Sequence, residues 1–322
     1  MLGMGMSQSN ASSPGSLSRA TYSRGVLLAL CGSIMAGIMY YYATLLLPLS
    51  GLEIFGWRMV CTVPCLALFI YFYGEWRLVR EVLQKVRRRK SFILWLCLSS
   101  FLLALQLWLF LWAPINSKAL DVSLGYLLMP LVMVVCGRFI YRDKLAPYQK
   151  RAVACAAMGV ANQGYQVGAI SLGTLLVAFG FPSYFVVKKH IKTEGLGGLL
   201  SDMALMLPAA LWIIWQSPTE LTVFTDHPKL FFLLPLLGVI SSMAIAFFVT
   251  AGRILPMSIF GLLSYMEPVL LVLVALILGE RIALRELPTY PLVFMAIAVL
   301  ALGGLREWKR QAPPLPADAG VE

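Results

Sequence analysis

The chain has 322 residues, of which 60% are hydrophobic and only 13% charged, with a mean hydropathy of +0.81 and a formal net charge of +11. Soluble domains carry about 25% charged residues, so this composition excludes an ordinary soluble fold and points to an all-α integral membrane protein. The positive charge is accounted for by loop topology, described next, and calls for no nucleic-acid partner.

Residues 1–23 begin with a stretch rich in Ser, Gly and Met that lacks the early basic cluster of a cleavable signal peptide, and they are expected as a flexible cytoplasmic N-terminus. Apolar runs of about 17 to 25 residues, the length that crosses the hydrocarbon core, follow at about 25–47, 52–73, 92–113, 120–141 and 149–166. A second set lies at about 169–187, 196–216, 230–251, 257–279 and 287–305. The expectation is ten transmembrane helices, five in residues 24–167 and five in residues 168–305, followed by a cytoplasmic tail over 306–322. The weakest break, Gly164 to Gly173, separates the fifth and sixth spans, and charge decides in its favour. With ten spans and both termini inside, the cytoplasmic segments hold 20 of the 26 basic residues, including Arg87-Arg88-Arg89-Lys90, Lys188-Lys189 and Arg306. Nine spans would place the C-terminal basic cluster outside. The Arg87–Lys90 run is read as topology and attraction to anionic lipid.

Six cysteines fall within spans without the paired spacing of a metal site, so no metal or cofactor is expected. His190 and His227 are the only histidines; both lie in loops, on opposite sides, with no nucleophile beside them, which argues against an enzyme.

Two segments resemble one another: Ser123 to Lys144 and Ser258 to Arg281, each an apolar run with a proline near its middle, Pro130 and Pro268. The first reads Ser-Leu-Gly-Tyr-Leu-Leu-Met-Pro and ends in Arg142-Asp143-Lys144; the second reads Gly-Leu-Leu-Ser-Tyr-Met-Glu-Pro and ends in Gly279-Glu280-Arg281. Because five spans is an odd number, the second half enters the membrane from the opposite side. The copies are then two inverted five-helix repeats, an arrangement that serves alternating access to a site between them.

These segments, with Trp57-Arg58, the run Gln106-Leu-Trp108-Leu-Phe110-Leu-Trp112, and Tyr184 with Lys188-Lys189, resemble the RarD branch of the EamA-type permeases in the drug/metabolite transporter superfamily. The resemblance covers Arg24 to about Leu305. It departs at Arg142-Asp143, where the family has a Gly-Glu pair, and at Gln106, where Asn is expected. It implies ten helices, both termini in the cytoplasm of a bacterial inner membrane, and export of small metabolites or drugs, amino acid-like or drug-like. A passive facilitator, a receptor and a scaffold are the alternatives. Partners on this reading are a small-molecule substrate, the lipid bilayer and protons as a coupling ion.

Ionisable residues inside a membrane cost about 2.5 to 3.5 kcal/mol at a helix centre, so each one needs a reason. Arg58 lies roughly 9 Å from the outer end of its span at 1.5 Å per residue. It is read either as a snorkelling or structural cation or as a holder of a substrate carboxylate. Glu267, beside Pro268 near the midplane, is read either as a proton-coupling carboxylate or as a structural one, with Arg58 as a partner within reach. Asp202 either marks the cytoplasmic entrance or balances Lys188 and Lys189. Trp108, Tyr126 and Tyr265 are candidate stacking surfaces, and Gln106, Ser123 and Ser264 candidate polar ligands; core packing, helix-to-helix hydrogen bonds and the interfacial aromatic belt are the competing readings. Pro130 and Pro268 are candidate gating bends.

Overall fold

The computed structural model describes residues 19–88, 90–140, 146–167, 171–193, 195–217, 222–255, 260, 263–282 and 287–311. The Arg142-Asp143-Lys144 ending of the first repeat segment, the start of the second at Ser258, and the two chain ends lie outside these residues.

Apolar composition without β-branched alternation gives helices throughout. They are α1 (Arg19–Leu45), α2 (Gly51–Phe72), α3 (Trp76–Arg88), α4 (Lys90–Ile115), α5 (Ala119–Ile140) and α6 (Pro147–Val167). There follow α7 (Leu172–His190), α8 (Leu196–Trp215), the short α9 (Thr222–Asp226), α10 (Leu230–Ile254), α11 (Met266–Ile277) and α12 (Thr289–Gln311). Among the described residues six helices are long and apolar enough to cross a membrane: α1, α2, α4, α5, α8 and α10. The fifth and sixth expected spans are separate helices, α6 and α7. Large apolar side chains such as Phe72, Phe139, Trp215 and Phe232 face outward, as a bilayer permits and water does not.

One element was not expected from composition. The segment Trp76–Arg88, between the second and third spans, is the amphipathic helix α3, which buries Val79 and Val82 and exposes Arg77, Arg80, Arg87 and Arg88. It packs on α8, with Lys85 donating to the Lys192 carbonyl. Glu75, just before it, takes a two-pronged ion pair from Arg253 at the end of α10. This gathers the basic segments at one end of the bundle.

The opposite end holds the largest core, where Leu46, Leu49, Ile54, Leu111, Ala113, Leu120, Leu127, Leu230, Leu237 and Leu271 form one continuous cluster. Toward the basic end the core divides. Met59, Leu66, Ile70, Leu103, Leu200 and Met203 join α2, α4, α7 and α8, while Ala29, Ala251 and Leu255 form a separate cluster between α1 and α10.

The two proline-bearing helices differ in how they hold proline. Pro130 sits inside a continuous α5, where it removes one backbone hydrogen bond, whereas Pro268 lies in the first turn of α11, where no partner is lost. The chain breaks its helix at Tyr265, immediately before α11. The two helices pack together with the end of α11 at the start of α5. There the Glu280 carboxylate accepts from the backbone N–H groups of Ala119 and Leu120 at 2.6 and 2.7 Å. The Gly279-Glu280-Arg281 ending therefore has a physical purpose: its acid caps the N-terminus of the other proline helix.

Candidate binding site around Arg58 and Glu267

A capping box sets the start of α2: Glu53 accepts from the Ser50 backbone at 2.6 Å, and Ser50 accepts from the Glu53 backbone at 3.3 Å. Two turns on, Arg58 is buried at 3% exposure, which excludes snorkelling to the surface. Its Nε–H donates to Ser241 Oγ on α10 at 3.0 Å, and Ser241 donates in turn to Met39 Sδ on α1 at 3.0 Å. The guanidinium carbon stands 5.8 Å from the centre of the Phe110 ring. α2 and α10 approach this closely because position 238 is glycine: a Cβ there would run into Cys61, one turn beyond Arg58.

Arg58 has no carboxylate partner among the described residues, and its Nη1 is buried without a hydrogen bond. An unpaired buried cation is costly, and it makes a strong host for an anionic or dipolar group. Beside it runs a series of aromatic rings contributed by four helices. Tyr40 meets Phe110 at 4.9 Å, Phe110 meets Tyr126 at 5.9 Å, and Tyr126 meets Phe181 at 5.6 Å. Tyr126 lies within electrostatic range of both Arg58 and Glu267.

Glu267 occupies the first turn of α11 on the same face as the buried Leu271, one turn further on. No hydrogen bond or ion pair joins it to another described residue, so the Arg58 pairing left open by the sequence is not made in this structure; Arg58 is held by Ser241 instead. A buried cation and an acid are thus both left without an ion pair among the described residues.

The remaining sequence candidates divide into two groups. Trp108 presents a buried indole N–H without a partner and stacks at 5.5 Å on Trp112. Gln106 is fully buried and donates to the Leu176 carbonyl at 2.9 Å, leaving its Oε1 without a partner. Tyr265 is half-buried at the helix break and packs against the main core. Ser123 and Ser264, by contrast, turn back on their own helices, donating to Ala119 and Phe260 carbonyls at 2.7 and 2.9 Å. Arg138 and Gln163 have side chains outside the described set.

Asp202 is the acid that sequence reasoning valued least, and it is the most enclosed, at 0% exposure. It accepts from Ser99 on α4 at 2.6 Å and from Tyr184 on α7 at 3.1 Å, and Lys188 Nζ stands 2.8 Å away in a bent ion pair. Ser100 donates to its backbone carbonyl at 2.9 Å. Of its two sequence readings, the balance with Lys188 is the one seen.

Sequence reasoning missed Ser241, Met39 and Phe181 as neighbours, and it quoted Phe110 only within a motif. The available signal was Ser241-Ser242, a polar pair in the middle of an otherwise apolar span.

Comparison with known proteins gives one family match: residues 23–162 fit the model of the EamA-like transporter family. The chloramphenicol-sensitive protein RarD of Pseudomonas aeruginosa is 36% identical over 290 residues, covering 90% of this chain and 97% of that protein. An uncharacterised transporter of Pasteurella multocida is 34% identical over 288 residues, covering 89% of this chain and 99% of its own. The RarD protein of Escherichia coli is 27% identical over 290 residues, covering 89% and 97%.

Proposed function

Because the chain belongs to the EamA-like transporter family as a RarD-type permease, we propose that it is a secondary transporter, exporting small amphipathic molecules that carry an anionic group. It is a multi-pass membrane protein with bacterial relatives, and in this reading it sits in the cytoplasmic membrane with ten spans and both termini inside. Residues 24–167 and 168–305 form the two inverted repeats, and alternating access exposes the site to either side. In this reading the helix break at Tyr265 and Pro130 within α5 are where the two proline helices bend during transport.

One observation carries the reading: a buried Arg58 with no counter-charge among the described residues and an open Nη1, set beside Phe110 and Tyr126. The guanidinium holds the anionic group, the rings hold an apolar or aromatic body, and Trp108 and Gln106 offer one further donor and one further acceptor. Glu267, unpaired near the same rings, is the proton carrier that couples transport to a pH gradient. The divided core at the basic end and the continuous core at the other support a state that opens toward the basic loops.

Counterflow of radiolabelled benzoate, phenylalanine and chloramphenicol into proteoliposomes tests this reading. Chloramphenicol serves as the neutral aromatic probe and is the compound named in the Pseudomonas relative. Saturable counterflow of at least one probe is expected, and an imposed pH gradient accelerates it in the parent protein but not in Glu267→Gln. Absence of counterflow across the panel overturns the carrier reading; an unchanged gradient response in Glu267→Gln overturns the coupling role.

A further inference from the structure

Two of the buried charged groups, Arg58 and Asp202, have the same anatomy with the halves exchanged. Arg58, on the second span of the first half, is met by Ser241 on the third span of the second half and, through it, by Met39 on the first span of the first half. Asp202, on the second span of the second half, is met by Ser99 on the third span of the first half and by Tyr184 on the first span of the second half. Swapping the halves exchanges the helices that meet, except that Tyr184 bonds Asp202 directly and Met39 is reached through Ser241. The sequence carries the same correspondence in places the proline segments do not reach. Gly51-Leu52 precedes Arg58-Met59 at the spacing at which Gly195-Leu196 precedes Asp202-Met203, and each serine is the first of a pair, Ser99-Ser100 and Ser241-Ser242. The offsets agree within two residues, since 202 − 58 is 144 and 241 − 99 is 142.

We propose that Arg58–Ser241–Met39 and Asp202–Ser99–Tyr184 are counterpart fasteners of an inverted repeat. Ser241 and Ser99 are the residues that position the charge, and each set holds three helices together as one body. The bodies are α1/α2/α10 and α4/α7/α8, each made of two helices of one half and one of the other. Packing ties each trio through one shared helix, and it also joins α2 to α8 across the two trios. α10 lies along both α1 and α2, and α4 lies along both α7 and α8. Charge-assisted hydrogen bonds in a low-dielectric interior are strong and directional, so parting α10 from α2, or α4 or α7 from α8, would strip a partner from a buried charge, while α1 is joined through the weaker Ser241–Met39 bond. That penalty makes each trio move as a unit.

The two fasteners differ in one respect. Asp202 has its own counter-ion, Lys188, which fits because position 198 is glycine: a Cβ there would lie 2.8 Å from Lys188 Nζ and would collide with the Thr193 carbonyl. Arg58 has none. One fastener is complete within the chain, and the other keeps a group in hand for a ligand. Only the motion of the bodies rests on the transporter reading.

Hydrogen exchange read by mass spectrometry on the full chain in lipid nanodiscs tests the grouping without any substrate. In Asp202→Asn, exchange is expected to rise about tenfold across α4, α7 and α8 while α1 and α10 stay at parental rates. Ser241→Ala is expected to do the converse, raising exchange in α1, α2 and α10 and sparing α7 and α8, with Ser241→Thr restoring protection because it keeps the hydroxyl. Should Asp202→Asn fail to fold, Ser99→Ala leaves the Lys188 pair in place and reads the same pattern at smaller amplitude. Deprotection confined to the mutated helix, spread evenly over both trios, or absent in folded variants overturns the proposal. Because no transport is measured, loss of the grouping and loss of the carrier function are told apart.

Discussion

Arg58 and Asp202 are both fully enclosed, both held by a serine from the opposite half, and yet they stand in opposite electrostatic conditions. Asp202 accepts two hydroxyl hydrogen bonds and faces Lys188; Arg58 donates to one hydroxyl and keeps Nη1 free. Burial alone therefore does not distinguish a structural charge from a functional one. The distinguishing property is whether the protein itself supplies the counter-charge: a group that is already neutralised has little to offer a ligand, and an unneutralised one gains free energy from it.

The largest expected effect probes the closed member of the pair. Asp202→Asn or Lys188→Met leaves a buried group without its partner, which costs about 3 to 5 kcal/mol. A marked fall in melting temperature in detergent is expected for each single variant. The double variant should lose much less than the sum, because the pair is broken only once. Additive losses would mean that Lys188 and Asp202 act independently.

Arg58→Ala probes the open member and should show in transport. Removing a charge-assisted hydrogen bond of about 1.5 to 3 kcal/mol corresponds to a loss of roughly 10- to 100-fold for benzoate. Chloramphenicol, lacking the carboxylate, should change several-fold at most. Equal loss for both probes would return Arg58 to a structural role and make the two charges alike after all.

The smallest effect concerns Glu280, which belongs to neither fastener and serves as a reference for an ordinary structural carboxylate. Glu280→Gln weakens the cap on α5 by about 1 kcal/mol. A small drop in melting temperature with unchanged selectivity between benzoate and chloramphenicol is expected. A change in selectivity would show that the cap also shapes the site.

The helices and their membrane character were legible in the chain because they depend on local quantities: runs of apolar side chains about the length of the hydrocarbon core, and basic residues gathered in alternate loops. Arg58 and Glu267 were legible as candidates for the same reason, since a charge inside an apolar run stands out against its neighbours. Asp202 was equally visible, and its balance with Lys188 was among its readings, but its bonds to Ser99 and Tyr184 were not legible because those partners lie 103 and 18 residues away on other helices. The amphipathic α3 was hidden among basic residues that topology alone explained. Glu280 was recognised as part of a motif, but its acceptor role at Ala119 and Leu120 depends on how α5 and α11 pack end to start.

The sequence by itself determined that this is a multi-pass membrane protein and which charges need an account. It determined these because transfer from water to lipid is summed residue by residue along the helix. The tertiary structure decided which charge is satisfied and which is left open: Ser241 and Met39 for Arg58, Ser99, Tyr184 and Lys188 for Asp202, and no ion-pair partner among the described residues for Glu267. In a low-dielectric interior the fate of a charge is set by the few atoms within about 3 Å of it, and those atoms come from distant parts of the chain.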